Sequence, residues 1–133
     1  MKPLSAKVTK GLCFMSKLSV CDNSGAKIIK LISVIGKGTR KGRIASAGVG
    51  DLIQASVISG KVNIRKQVVY AIIVRQKKEY KRRSGISIKF EDNAAVVLKD
   101  NKGNPRGTIL KGPIAKEVGD RWTAITKLAS IVI

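Results

Sequence analysis

Ala71-Ile72-Ile73-Val74-Arg75-Gln76-Lys77-Lys78-Glu79-Tyr80-Lys81-Arg82-Arg83-Ser84-Gly85-Ile86-Ser87-Ile88-Lys89-Phe90-Glu91-Asp92-Asn93-Ala94-Ala95-Val96-Val97 holds core, charge and turn in one piece. An apolar run of strand character leads into a dense basic segment, Ser84-Gly85 is a turn signal, and two more β-rich runs bring the chain back. If Arg75 to Arg83 is extended, alternate side chains fall on one face about 6.6 Å apart, near the spacing of successive phosphates along a nucleic-acid strand. One face would carry Arg75, Lys77, Lys81 and Arg83, interrupted by Glu79, and the other Gln76, Lys78, Tyr80 and Arg82. The same charges would also suit a solvated loop that keeps a basic protein in solution. The run by itself leaves both readings open.

Composition narrows the choice. A chain of 133 residues fits one domain and one core, and its apolar share of 44% supports folding. Aromatics are only 4%, so that core must be Val, Ile, Leu and Ala, and a surface of several stacking platforms is not expected. A formal charge of +19 exceeds what solubility needs and costs self-repulsion unless an anionic partner is present. Nucleic acid is the first candidate, because each phosphate neutralised by Lys or Arg releases condensed counterions. A membrane surface is the second candidate and is not expected: it would want a basic amphipathic helix, yet the charges interrupt strand-like runs and no apolar stretch reaches spanning length.

Cys13 and Cys21, with no histidine in the chain, cannot make a zinc site, and no metal is expected. They could pair as a disulfide, but with no hydrophobic leader after Met1-Lys2-Pro3 the reading favoured is two small buried thiols in the reducing cytosol. Without histidine the commonest general base is missing. The acids Asp22, Asp51, Glu79, Glu91, Asp92, Asp100, Glu117 and Asp120 are scattered, and the one adjacent pair, Glu91-Asp92, would point to opposite faces of a strand. Gly36-Lys37-Gly38 lacks the spacing of a phosphate-binding loop. No catalysis, cofactor or small-molecule substrate is expected.

Outward from the opening stretch, the elements are short and β. Leu18 to Cys21 reads as a strand, Asp22-Asn23-Ser24-Gly25 as a hairpin turn, and Ile28 to Ile35 as a mostly buried strand. Lys37, Arg40, Lys41 and Arg43 alternate with glycines in a loop whose backbone could approach a phosphodiester chain. Gly48 and Gly50 suggest a tight turn before the strand Leu52 to Ile58; Val62 to Ile64 returns briefly, Arg65-Lys66 adds a third basic point, and Gln67 to Val74 is the next strand. Such spacing argues for a small barrel or sandwich, with closure removing exposed edges. A polar cluster from Lys99 to Gly107 precedes a last short strand, Thr108 to Leu110. Pro113 suits the first turn of a helix that Gly119 would stop, and Asp120 would cap a second helix from Arg121 to Ser130, with Trp122, Ile125, Leu128 and Ala129 on its apolar face. The first ten or so residues lack strong periodicity and read as a tail that orders on a partner.

The opening stretch also resembles the signature of the universal large-subunit ribosomal protein family L-fourteen. Ala71, Ile72 to Val74, Ser84-Gly85, Phe90, Asn93 and Val96-Val97 meet each step of that pattern. Asp22-Asn23-Ser24-Gly25-Ala26-Lys27, Ala47-Gly48-Val49-Gly50-Asp51 and Gly112-Pro113-Ile114-Ala115-Lys116-Glu117 resemble further family blocks in the same order, so the likeness runs from about Leu12 onward. Phe90-Glu91-Asp92-Asn93-Ala94, Val69-Tyr70-Ala71 and Asp120-Arg121-Trp122 resemble the archaeal and eukaryotic branch, whereas Lys41 to Ser46 lacks the Leu-Asn-Arg-Leu-Pro run usual there.

The resemblance implies a mainly β fold: a small closed five-stranded barrel with a projecting basic β-ribbon and short C-terminal helices. It divides one domain, 1–133, into a tail at 1–11, barrel and ribbon at 12–110, and a helical segment at 111–133. It implies binding to large-subunit ribosomal RNA, neighbouring large-subunit proteins, bridges to small-subunit RNA, and a docking surface for an anti-association factor, without catalysis or cofactor. Carried residue by residue, the RNA role falls on Lys37, Arg40, Lys41, Arg43, Arg65, Lys66, Arg75, Lys77, Lys78, Lys81, Arg82 and Arg83. The bridge or partner role falls on Arg106, Lys111, Lys116, Arg121 and Trp122, the last also suiting a core position. The other class considered, a free-standing single-strand-binding barrel, would want aromatic platforms along a groove, and Phe14, Tyr70, Tyr80, Phe90 and Trp122 are few and scattered.

Overall fold

Five of the apolar runs close on themselves. The computed structural model describes residues 2–133. Its elements are β1 (Leu12–Cys13), β2 (Lys17–Val20), β3 (Ala26–Val34), β4 (Ser46–Ala47), β5 (Leu52–Gly60), β6 (Val68–Arg75), β7 (Tyr80–Lys81), β8 (Ser87–Ile88), β9 (Ala94–Val97), β10 (Pro113–Ile114), α1 (Lys116–Arg121), α2 (Thr123–Leu128) and β11 (Ile131–Val132). The barrel runs β2-β3-β5-β6-β9, with β9 returning to pair parallel to β2. Antiparallel registers align Leu31 with Ala55 and Ala55 with Val69, then Val34 with Ile53 and Ile53 with Ala71, all buried. Small and branched side chains alone fill so narrow a lumen, which is why the chain manages with so few aromatics.

In β6, every residue from Val69 to Arg75 except Tyr70 is buried, because a second cover lies outside the barrel there. The C-terminal segment supplies it: Ala115 N–H donates to Val74 O at 3.2 Å, and Ile114, Ala115, Val118, Trp122 and Ile125 are buried. Trp122 also lies under the 99–107 loop, where a Cβ on Gly103 would come within 2.5 Å of the indole ring; with φ of +98°, Gly103 is the residue that allows the approach.

Tertiary contacts overrode several local signals. Pro113 lies in β10, which pairs parallel with β11, and does not open a helix. α1 runs through Gly119 and Asp120, and the break falls at Trp122 (φ −126°, ψ 78°), whose indole N–H donates to Gly50 O at 2.9 Å. That buried hydrogen bond fixes the kink where glycine and aspartate suggested other boundaries. Thr108 to Leu110 forms no strand: Leu110 makes one bridge to Asp22, and the Asn23 side chain holds Thr108, accepting from its N–H at 2.8 Å. Val62 to Ile64 is part of a turn rather than a returning strand.

Cys21 is buried, its desolvated thiol pushed up to about 11, whereas Cys13 is exposed, so the expectation of two buried thiols is corrected for Cys13. The segment read as a tail lies along the body. Lys7 bridges Lys81 in antiparallel fashion, Thr9 O accepts from Gln76 Nε2 at 2.7 Å, and Lys2 O accepts from Arg121 Nε at 2.7 Å.

Candidate nucleic-acid interface

The basic run is neither one strand nor one surface. β6 ends at Arg75, residues 76 to 79 form a loop, and only Tyr80-Lys81 resumes as β7, paired with β8 as a short ribbon. The regular two-faced strand expected from Arg75 to Arg83 is therefore broken around Glu79. Arg75 is 9% exposed; its guanidinium donates to both Asp92 oxygens at 2.9 and 3.1 Å and to the Lys111 and Pro113 carbonyls at 3.0 and 2.9 Å. This cation, read as the first RNA contact, is instead the clamp between barrel and C-terminal segment. Gln76 is fully buried and joins Val49 N–H to the Thr9 and Lys78 carbonyls.

Arg82 also turns inward. It donates to Glu117 at 2.7 and 3.2 Å and to Ile133 O at 2.6 Å, while the buried Tyr80 hydroxyl donates to the same carboxylate at 2.7 Å. Burial would raise the Glu117 pKa, but the hydrogen bonds from Arg82 and Tyr80 outweigh it and hold the carboxyl below its ordinary value. Glu117 in turn raises Arg82, and burial together with Glu117 raises Tyr80. Lys78 pairs with Glu79 at 2.8 Å, both half in water, where such a pair contributes little. Lys77, Lys81 and Arg83 are exposed and enter no ion pair with a carboxylate among the described residues.

Those free cations have a neighbour that sequence reading missed. Lys7 stands directly opposite Lys81, and Leu4 to Lys7 with Lys81 to Arg83 line a groove of about 570 Å³. Like charges facing each other across a bridge repel, an arrangement that an anion between them would relieve. The missed signal was the alternation of half-buried Leu4, Ala6 and Val8 with exposed Ser5, Lys7 and Thr9, a period of two weakened by the small alanine.

At the other end of the same segment Lys10 lies near Lys37, and that neighbouring ammonium, together with partial burial, lowers the Lys10 pKa. The structure thus brings the ribbon and the Lys37 to Arg43 loop to opposite ends of a stretch of four residues, about 10 Å. Lys37 itself is tied down, pairing at 2.7 Å with the buried Asp51, which also accepts from Arg121 at 3.1 Å and from Gly48 N–H at 2.8 Å. Arg40, Lys41 and Arg43 are exposed around a shallow concavity.

Arg65 and Lys66 do not join this surface. They sit in the β5–β6 turn, at the far end of a nine-residue strand whose near end, Leu52, receives Ile35 N–H beside the loop, a separation of roughly 25 Å. Of the C-terminal candidates, Arg106, Lys111 and Lys116 are exposed, whereas Arg121 is held by Asp51 and Trp122 is buried.

The acids explain the sorting. Asp22, Asp51 and Glu117 are buried, each holding backbone or side-chain donors of this chain, and Asp92 holds Arg75. Three of the eight carboxylates are thus buried and a fourth is taken up by Arg75, and with 27 Lys and Arg in the chain the outer surface keeps an uncompensated excess of cations. Among the described residues no three His, Cys, Asp or Glu side chains group as a metal set, and no helix is long and apolar enough to cross a membrane.

Comparison with known proteins adds the last observation. The profile of the family described as ribosomal protein L14p/L23e matches residues 11–133. Over all 133 residues, and over the whole of each relative, the chain is 51% identical to the large ribosomal subunit protein uL14 of Nanoarchaeum equitans, 44% to that of Halobacterium salinarum and 41% to that of Methanocella arvoryzae.

Proposed function

Because this chain belongs to the ribosomal protein L14p/L23e family, we propose that it holds large-subunit ribosomal RNA against the barrel end that carries the ribbon, the N-terminal segment and the Lys37 to Arg43 loop. Its place is in the large ribosomal subunit in the cytoplasm, and its family is one of ribosomal structural proteins rather than enzymes. The observation that carries the RNA reading is the placement of charge: Asp22, Asp51 and Glu117 buried, and Lys7, Lys77, Lys81, Arg83, Arg40, Lys41 and Arg43 left outside at one end. Cations on short, anchored elements suit phosphate contacts that set register with little base readout. Exposed Arg106, Lys111 and Lys116 support a second contact on the C-terminal side, with small-subunit RNA at the subunit interface, and the same side is where this reading puts a neighbouring protein or an anti-association factor. A free-standing single-strand binder fits less well, since Tyr80 and Trp122 are interior and build no stacking groove.

Sedimentation of the endogenous protein through a high-salt sucrose gradient tests the assignment. Co-migration with the large subunit is expected, and a protein left at the top of the gradient would overturn it.

A further inference from the structure

The turn between β1 and β2 carries an apolar surface that the phosphate contacts do not use. Phe14, Met15 and Ile44 are 49, 52 and 70% exposed. β1 pairs with β4 so that Cys13 stands opposite Ser46, which brings the Phe14-Met15 turn alongside the Arg43-Ile44 end of the basic loop. The turn is held firmly: Met15 N–H donates to Leu31 O and Leu31 N–H to Ser16 O, each at 2.9 Å, and Cys13 N–H donates to Ser16 Oγ at 3.1 Å. Met15 keeps a φ of +71°, a conformation that glycine adopts freely and a side chain does not. Three anchors thus over-determine a strained turn that presents two large apolar side chains to solvent.

The rim decides what such a surface fits. Lys17 and Arg43 are exposed beside it, Lys30 stands opposite Lys17 across the β2–β3 pair, and residues 1–21 and 23–50 contain no carboxylate. Apolar side chains of this kind also occur at protein interfaces, but a rim of cations drawn from stretches that carry no acid of their own complements a polyanion. Of the five aromatic residues, Tyr80 and Trp122 are buried and Tyr70 and Phe90 half-buried, so Phe14 is the one exposed ring.

We propose that Phe14 is a stacking platform for an unpaired base of the bound RNA, with Met15 and Ile44 closing the edges of the base and Lys17 and Arg43 taking the flanking phosphates. The inference rests on the RNA-binding reading above. Aromatic stacking tolerates any base, so the site selects an unstacked nucleotide in a loop or bulge rather than a sequence.

The test uses the full chain and deproteinised archaeal large-subunit ribosomal RNA, titrated across a KCl series. Phe14→Leu, which keeps an apolar side chain at a half-exposed position, is expected to bind about tenfold more weakly with an unchanged salt slope. Phe14→Trp is expected to restore the affinity and to lose fluorescence at the new indole when RNA binds. A Phe14→Leu chain that binds as tightly as the wild type at every salt overturns the stacking site while leaving RNA binding intact, and this is the result if the patch instead covers a protein. A Phe14→Trp chain as weak as Phe14→Leu also overturns it. A wild-type chain that fails to bind this RNA overturns the underlying reading as well.

Discussion

Arg75 and Arg83 belong to one basic run and do opposite things. At the foot of the run, Arg75 is enclosed by Asp92 and two backbone carbonyls and fastens the C-terminal segment to β6. At the ribbon, Arg83 is exposed, and neighbouring Lys81 faces only another lysine. The difference arises from distant acids, since Asp92 and Glu117 choose Arg75 and Arg82 from 17 and 35 residues away. A run of cations is therefore two populations, one structural and one available, and substitution should separate them.

The largest effect is expected at the enclosed end. Arg75→Met keeps much of the side-chain volume but leaves the Lys111 and Pro113 carbonyls without their donor and Asp92 without its partner. Breaking an enclosed pair by removing one member costs about 3–5 kcal/mol, and because Asp92 is 45% exposed and can take water, the lower end of that range applies. Denaturant unfolding should show the loss, while the salt slope of RNA binding, measured without denaturant, stays that of the wild type. A stable Arg75→Met chain with a flattened slope would return Arg75 to the RNA surface.

That sorting marks the limit of what was legible in the sequence. The strands were readable because Ile53, Ala55 and Val57 alternate with Gln54 and Ser56, and Leu18, Ile29 and Leu31 announce a buried face. Closure into five strands and the ribbon came from the family likeness, and the closed barrel is what the structure has. The C-terminal boundaries were unreadable because the indole of Trp122 seeks Gly50, 72 residues away, and outranks the local preferences of Gly119 and Asp120, while pairing with Ile131 draws Pro113 into a strand. At the site, residue type was readable and direction was not. Alternation sets Arg82 on the face of Tyr80 and Arg83 on the other, but nothing local says which face turns inward, because that is decided by Glu117, 35 residues from Arg82.

A smaller effect is expected where the ribbon meets the C-terminal segment. Glu117→Gln removes the charge that Arg82 and Tyr80 share and should cost about 2 kcal/mol at neutral pH, the scale of a hydrogen bond to a charged group. The folded-state pKa of Glu117 lies below its ordinary value of 4.5, so its contribution is present above that value and is lost as the pH falls through the folded value. Unfolding curves of the wild type and Glu117→Gln should therefore differ at pH 7 and converge in acid below the ordinary glutamate value. A difference that persists unchanged in acid would mean that the charge of Glu117 does not hold the ribbon.

The smallest effect on stability is expected at the available end, and there the contrast becomes sharpest. Lys7, Lys77, Lys81 and Arg83 are exposed and make no ion pair with a carboxylate among the described residues, so replacing all four with Gln removes no internal partner. Surface substitutions of this kind usually stay within about 0.5 kcal/mol each, and relief of the Lys7–Lys81 opposition acts in the stabilising direction. Each phosphate contact contributes about 0.7 to 0.9 to the slope of log affinity against log salt, so four lost contacts should flatten it by about 3. The quadruple variant would then be as stable as the wild type and bind RNA weakly, while Arg75→Met would be unstable and bind with the wild-type slope. If the quadruple variant instead kept its slope, the ribbon and N-terminal segment would be a solvated face, and the RNA contact would have to lie on the Arg40 to Arg43 loop alone.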